Sequence, residues 1–309
     1  MSLSLPNSLW TATASPEPDC YPLLGDTQTD VAIVGAGFTG LRAALELSQQ
    51  GVNVTVVDAG QIGWGASGRN GGQVSPIGHE SPEDILKKWA QRYGADIASP
   101  LVERYAAMTM NAADELFELV KQYDIDCDTE QNGWIRAVHG PSAEATFMHQ
   151  YQGWHNAGAD VSLLDAGQVE AMSGCRGYGI GMIANRAGTV QPMSYVRGLA
   201  KAAMQAGAAI HCDTAIERLE QHNGQWKLSA LTGSILADQV LLCTNGYTDP
   251  LYPDLAKTIV PVISMQAATQ VLTEAQSAEI LPGRQNRRNS RSFTPYPPAC
   301  ARSTHWLRL

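Results

Sequence analysis

The sequence is sparing in the features that would commit it to nucleic-acid, metal, disulfide or membrane chemistry. Of its 309 residues only 17% are charged and 7% aromatic, and the formal net charge is −9. An acidic balance gives no electrostatic footprint for nucleic acid or for an anionic membrane surface. There is no Cys-x-x-Cys pair, and the six cysteines, at 20, 127, 175, 212, 243 and 300, are scattered. That scatter reads as individual thiols in a reducing compartment, with neither a disulfide frame nor a zinc site. The seven histidines show no H-x-x-x-H or H-E-x-x-H spacing, so no metal site is expected. No apolar run nears the roughly 18 residues of a membrane-spanning helix. The first Lys or Arg is Arg42, so the start lacks the cationic head of a secretory signal. The expectation is a cytoplasmic protein with no nucleic-acid partner and no integral membrane segment.

What is present is apolar and glycine-rich: 44% hydrophobic residues and 29 glycines, over a length that allows two domains. Residues 1–28 read as a polar, Pro-rich surface arm with Trp10 and Tyr21 as anchors. Val31–Val34 reads as a strand, the following stretch as a helix up to Gly51, and Val52–Val57 as a second strand ending at Asp58. That unit of about 30 residues has the size of a parallel crossover. Helices are expected over 82–93, 100–123, 143–157, 165–172 and 193–205, with strands at 132–138, 177–184, 208–219, 226–230, 234–236 and 239–243. In the second helix Leu101, Tyr105, Met108, Ala112, Leu116 and Leu119 form an apolar stripe expected to face the core. Trp89, Trp134, Trp154 and Trp226 read as core anchors. The fold class is α/β: a Rossmann-like nucleotide-binding domain joined to an α+β domain.

Chemistry is concentrated in two segments. Gly35, Gly37 and Gly40 follow an apolar strand and open a helix. Gly35 permits a tight turn, Gly37 lets backbone approach a pyrophosphate, and Gly40 lets helix and strand pack closely. The helix N-terminus offers N–H groups and partial positive charge to phosphates. Asp58, 18 residues after Gly40, suits a ribose 2′-hydroxyl and disfavours a 2′-phosphate. Then, where a plain NAD fold would run into another crossover helix, 60–72 supplies six glycines with Ser67, Arg69 and Asn70. Such a loop suits a long cofactor with phosphates and a polar ring edge. Ser67 lacks the G-x-S-x-G elbow of a hydrolase.

Residues 30–73, and above all G-A-S-G-R-N-G-G-Q at 65–73, resemble the FAD-binding start of the D-amino-acid oxidase/glycine oxidase superfamily. Within it the string is most similar to the gamma-glutamylputrescine oxidoreductase branch. The arm from Ser8 to Asp26, Gln191-Pro192 with the helix after it, and Cys243–Thr248 are similar to that branch too. The resemblance implies that Gly35, Gly37 and Gly40 face the FAD pyrophosphate and that Asp58 holds the adenosine ribose. It places Ser67, Arg69, Asn70, Gly71, Gly72 and Gln73 along the pyrophosphate and flavin ring, and the Ile216 backbone at the adenine. Thr244, Asn245 and Gly246 become the turn where the last sheet strand reaches the cofactor. The implied activity is oxidation of a carbon–nitrogen bond in an amine or amino acid. Hydride passes to the flavin and the imine hydrolyses, with oxygen or a quinone as acceptor. No side chain is assigned as catalytic; Tyr178, Tyr195 and Tyr247 are candidates to meet substrate. An inactive nucleotide-binding remnant and an NAD-dependent dehydrogenase are the other readings.

The implied domains are a 1–28 arm, a discontinuous FAD-binding domain (29–98 and 176–250), and a substrate domain (99–175 and 251–283). Residues 1–283 hold 15 Lys+Arg against 30 Asp+Glu, whereas 284–309 hold six arginines and no acid. That break, near where the resemblance ends, reads as a non-native basic tail replacing an FAD-closing segment, as a frameshift near codons 284–286 would leave it. A chain ending so is expected to keep weak or no activity, an unpaired sheet edge, and exposed apolar surface over 259–272.

Overall fold

A computed structural model describes residues 3–260, 262, 271–280 and 305–308, the last four and Ser277 as backbone only. Its elements in chain order are α1 (Leu9–Thr13), β1 (Gly25–Val34), α2 (Phe38–Gln49), β2 (Val54–Val57), β3 (Gln73–Val74), α3 (Pro82–Tyr93) and α4 (Ala95–Gln122). There follow β4 (Trp134–Val138), α5 (Pro141–Asn156), β5 (Val161–Asp165), α6 (Ala166–Ser173), β6 (Ile180–Ala184), β7 (Gly188–Thr189) and α7 (Pro192–Gln205). The chain closes with β8 (Ala209–His211), β9 (Ile216–His222), β10 (Gln225–Ala230), β11 (Gly233–Leu242), α8 (Glu274–Glu279) and β12 (His305–Arg308). The expected α/β class is the one observed.

Two compact units divide the chain. The first comprises Met1–Gly72, Val120–Cys127 and Gln191–Gln266; the second comprises Gln73–Leu119, Asp128–Val190 and Ala267–Leu309. Residues 73–98 and 176–190, expected with the nucleotide-binding segments, therefore fall in the second unit.

The first unit is built on a six-stranded sheet in the order β8-β2-β1-β11-β10-β9. Its first four strands are parallel, and β10 and β9 return antiparallel as a meander. All four residues of β2 are buried, as a strand covered on both faces requires. Strand β1 starts at Gly25, six residues before the apolar run, because Gly25–Thr29 pair with Gly233–Ala237 of β11. Backbone pairing extends the strand where side-chain pattern gives no signal. Beyond Ala237, β11 pairs only with β1 among the described residues, leaving its last residues at an edge on the other side. Val260, Val262 and Val271 are 83%, 86% and 71% exposed, in line with the expected bare apolar stretch; most of 261–270 lies outside the described residues.

The second unit holds a four-stranded sheet, β12-β4-β6-β5, and a pair, β3-β7. Its core gathers Trp134, Phe147, Trp154, Val161 and Met182. Trp154 is fully buried, and its indole N–H donates to the Gly78 carbonyl at 3.1 Å. In α6 the Asp165 carboxylate and Gln168 side chain form a reciprocal cap, and Gly174 ends the helix left-handed. Strand β12 pairs antiparallel with β4 although the tail shows no strand pattern. Residues 284–304 of the expected non-native tail lie outside the described residues.

Three expectations are corrected. Helix α4 begins at Ala95 and carries Pro100 inside it rather than at its start. Its buried residues are Ala98, Val102, Ala106, Ala113, Phe117, Leu119 and Val120; of the expected stripe Leu119 is buried and Tyr105 and Leu116 half-buried, whereas Leu101, Met108 and Ala112 are exposed. The helix is apolar on more than one side, and the face with small alanines, which permit close approach, is the one that packs. The Tyr21 side chain is exposed, its backbone alone bridging to His211, while Trp10 is buried.

The third correction concerns cysteine. Cys20 and Cys212 form a disulfide, with Cα atoms 5.6 Å apart across 192 residues of chain. Spacing in the sequence could not show this, because the pairing depends on the arm lying beside β8, where Tyr21 bridges His211. Cys127 is buried, and Cys175 and Cys243 are half-buried.

Candidate nucleotide-binding site

The parallel strands of the first unit end at one cleft, of about 1030 Å³ including its open mouth, large enough for a dinucleotide. Four chain segments line it: Val34–Thr39, Val57–Ala59, Gly63–Ser67 and Thr214–Ile216, with Cys243–Asn245 and Tyr247 beside them. A crevice beyond the carboxyl ends of parallel strands is where open α/β sheets bind ligands.

Gly35 leaves β1 with φ +112°, and a Cβ there would lie 2.6 Å from the Cys243 carbonyl oxygen. The Cys243 N–H donates to Val34 at 2.8 Å, so the exits of β1 and β11 touch and only glycine fits between them. Gly37 is the N-cap of α2 and has no side-chain cap of its own. Ser67 approaches from the glycine loop, its hydroxyl accepting from the Phe38 N–H at 3.0 Å. Gly40 does not line the cleft. A Cβ on it would stand 2.0 Å from the Gly35 carbonyl oxygen, so its role is the close seating of α2 on β1.

Asp58 closes the end of β2. One carboxylate oxygen accepts from Ala36 N–H at 2.7 Å and the other from Gly60 N–H at 2.9 Å. Each oxygen keeps acceptor capacity for a ribose hydroxyl. Burial pushes the Asp58 carboxyl above the ordinary aspartate range, the Gly60 and Ala36 N–H groups pull it back, and nearby Asp213 adds to the rise. Ionised Asp58 therefore burdens the folded state. That cost is absent below the ordinary aspartate pKa, grows as pH rises towards the raised folded value, and is constant above it. Urea melts should show the native protein losing stability relative to Asp58→Asn as pH rises through that interval. A difference that is flat from acid to neutral pH contradicts this reading.

The remaining expected residues separate into four sets. Ser67, Ile216, Thr244 and Asn245 line the cleft, whereas Gly71, Gly72 and Gly246 do not. Arg69 and Asn70 lie just behind it. The Arg69 guanidinium donates to the Trp64 carbonyl and sits 5.0 Å over the Trp64 ring, and its buried Nε has no hydrogen-bond partner among the described residues. Asn70 is spent on the loop itself, donating to the Ala66 and Ser67 carbonyls and accepting from Gly72 N–H. Gln73 belongs to the second unit, in β3 paired with Thr189. Tyr195 is buried, packed 5.1 Å from the Phe38 ring with its phenol pushed up to about 12 by desolvation, and does not line the cleft. Tyr178 packs beside Ile135, Val169 and Ile183. Tyr247 is exposed at the cleft mouth, 5.4 Å from the Trp64 ring.

Sequence reasoning missed Leu3 and Thr214 as cleft residues, and it placed Trp64 in the ligand loop without giving it a role. Thr214 had a signal, standing two residues before Ile216. Leu3 had none, because nothing local links the chain start to the cleft.

The glycine turn, the helix N-terminus and the acid at the end of β2 form the cradle of a dinucleotide fold. A profile of the DAO family, FAD dependent oxidoreductases, matches residues 30–302. The chain belongs to that family. It is 31% identical over 298 residues to the probable oxidoreductase OrdL of Rhizobium meliloti, covering 94% of this chain and 66% of that one. To the gamma-glutamylputrescine oxidoreductase of Escherichia coli it is 29% identical over 278 residues, covering 89% and 63%. The chain thus spans less than two thirds of the length of these relatives. Glycine oxidase from Geobacillus kaustophilus superposes with a TM-score of 0.58 at 23% identity, over 71% of this chain and 56% of that one. L-proline dehydrogenase from P. horikoshii gives 0.59 at 17%, over 77% and 55%, and both likenesses bear on the fold alone. Among the described residues no helix is long and apolar enough to cross a membrane, and no group of His, Cys, Asp or Glu could hold a metal ion.

Proposed function

We propose that the chain binds FAD in this cleft and takes part in oxidising a carbon–nitrogen bond of an amine or amino acid. One observation carries the reading. Asp58, with an acceptor position to spare on each oxygen, stands beside the Gly35–Gly37 turn at the N-terminus of α2. The residues present fit the cofactor. Gly35 and Gly37 line the cleft with backbone alone, Asp58 suits the adenosine ribose, and Thr214–Ile216 are read as flanking the adenine. Ser67 and the α2 N-terminus meet the pyrophosphate, and the unpartnered Arg69 Nε supplies a cationic donor next to them. Gly71, Gly72, Gln73 and Gly246 are read as extending the cofactor path towards the flavin.

FAD, when bound, supplies an acceptor for the hydride of the carbon bearing the amine. The chain's own work is to hold, orient and shield. Asp58 and its neighbour Asp213 repel a 2′-phosphate, which favours FAD or NAD over NADP. The imine formed from substrate then takes up water and yields an aldehyde or keto acid plus ammonia or a smaller amine. The second unit is read as the substrate side, oxygen or a quinone as final acceptor, and the setting as cytoplasmic. The substrate class rests on the relatives' names, gamma-glutamylputrescine oxidoreductase and glycine oxidase among them.

The test is anaerobic incubation of the FAD-loaded chain with gamma-glutamylputrescine, glycine, a D-amino acid and an N-methylated amine. One of them should bleach the flavin slowly and yield carbonyl product in equal amount. Retained FAD that none of them bleaches overnight contradicts the carbon–nitrogen reading.

A further inference from the structure

The Cys20–Cys212 bond sits where the polar arm meets the wall of the cleft. The arm is tied down by chemistry specific to it. Tyr21 bridges His211, and the Leu23 N–H donates to Thr214 Oγ1 at 3.0 Å. On the other side of the same peptide, the His211 carbonyl accepts from Asp58 N–H at 2.9 Å, and Thr214 N–H donates to the Asp58 carbonyl at 2.8 Å. Asp213 N–H donates to Gly60 at 3.3 Å, and the Gln61 amide reaches the Asp213 carboxylate. Residues 211–214 therefore lie between the disulfide and the strand end that carries Asp58. Thr214 itself lines the cleft two residues from Cys212. The arm also reaches the cleft at its start, where Leu3 lines it and the Ser4 carbonyl accepts from the Trp64 indole at 3.1 Å.

We propose that Cys20–Cys212 is a reversible thiol–disulfide site that sets how tightly the cleft holds the adenosine half of its dinucleotide. The bond links the arm covalently to the segment supporting Asp58 and Thr214. Opening it leaves the arm joined to that segment by non-covalent contacts only, the Tyr21–His211 bridge, the Leu23–Thr214 bond and the burial of Leu23 with Ile216, and so lets the two shift against each other. Cys20 is half-buried and Cys212 fully buried, so an incoming thiolate attacks the Cys20 sulfur. The Sγ–Sγ bond breaks, Cys212 leaves as a thiolate and takes up a proton, and a mixed disulfide forms on Cys20. The second thiol of the dithiol displaces Cys20, so the protein gains two electrons and two protons while the reagent becomes a disulfide.

The proposal rests on the reading that the cleft takes adenosine, and the test separates the two. Affinities of the full chain for ADP and for FAD are measured before and after dithiothreitol, with alkylation confirming two additional free thiols after reduction. Circular dichroism at the same temperature confirms that the fold persists. The variant Cys20→Ser provides the open state without reductant. Reduction and Cys20→Ser should each weaken ADP binding on the order of tenfold, within the range usual for coupled sites. By reciprocity, saturating ADP should make the disulfide harder to reduce by the same factor. Equal ADP affinity in the closed and open states overturns the proposal. Redox-dependent ADP binding without FAD binding upholds it while removing the FAD reading. Failure of both nucleotides to bind the oxidised chain overturns both.

Discussion

Replacing Gly40 by alanine should abolish FAD retention and destabilise the first unit by about 3 kcal/mol, the scale of forced overpacking. The added Cβ would stand 2.0 Å from the Gly35 carbonyl oxygen and 3.1 Å from Ile33 Cγ2. Neither neighbour is a flexible side chain end. Helix α2 must therefore lift from β1, moving its N-terminus away from the pyrophosphate position and pulling Phe38 from Ser67. Gly37→Ala provides the contrast. Its Cβ meets only the Ser67 hydroxyl, at 2.9 Å, and a rotamer change can relieve that. Urea melts should show Gly40→Ala well below Gly37→Ala in stability, with FAD affinity reduced on the order of a hundredfold or more in the former. Equal stability of the two variants would show that the helix seat is softer than the packing implies.

The second large effect is expected in the other unit. Trp154→Ala should cost about 3–5 kcal/mol, the range for truncating a buried aromatic. The residue is fully buried among Phe147, Val161 and Met182, and its removal also leaves the Gly78 carbonyl without its indole donor. Trp154→Phe keeps most of the volume and loses the hydrogen bond, so the difference between the variants reports packing and the variant's own deficit reports the bond. Denaturant titration followed by tryptophan fluorescence measures both. A cost below 1 kcal/mol for the alanine variant would mean that the described core of this unit is loosely packed.

Much of the cleft was legible because its chemistry is local. Gly35, Gly37 and Gly40 meet Asp58 through one local crossover, although of the three only Gly40 is crowded by neighbours close in sequence, Gly35 being crowded by Cys243 and Gly37 by Ser67. Ser67 followed from the glycine loop next to it, and Ile216 from resemblance rather than pattern. What was not legible depends on pairings distant in sequence. The Cys20–Cys212 bond spans 192 residues, and Leu3 reaches the cleft only because the arm wraps back to the loop at Trp64. The misread face of α4 has a different origin. Leu101 and Met108 are larger than Ala98, Ala106 and Ala113, so hydrophobicity favoured them, while close packing selected the smaller side chains. Asn70 shows a third limit: an amide in a glycine loop can serve the ligand or the loop, and only geometry reveals that it serves the loop.

The central claim is that the cleft bounded by Gly35, Asp58, Ser67 and Thr214 holds FAD. The most direct measurement is the visible absorbance of the purified full chain, with identification of any chromophore released on denaturation. The account predicts a yellow protein that releases FAD, or a colourless one that becomes yellow when FAD is added. A colourless protein that FAD cannot reconstitute, above all one that binds NAD tightly instead, would contradict it.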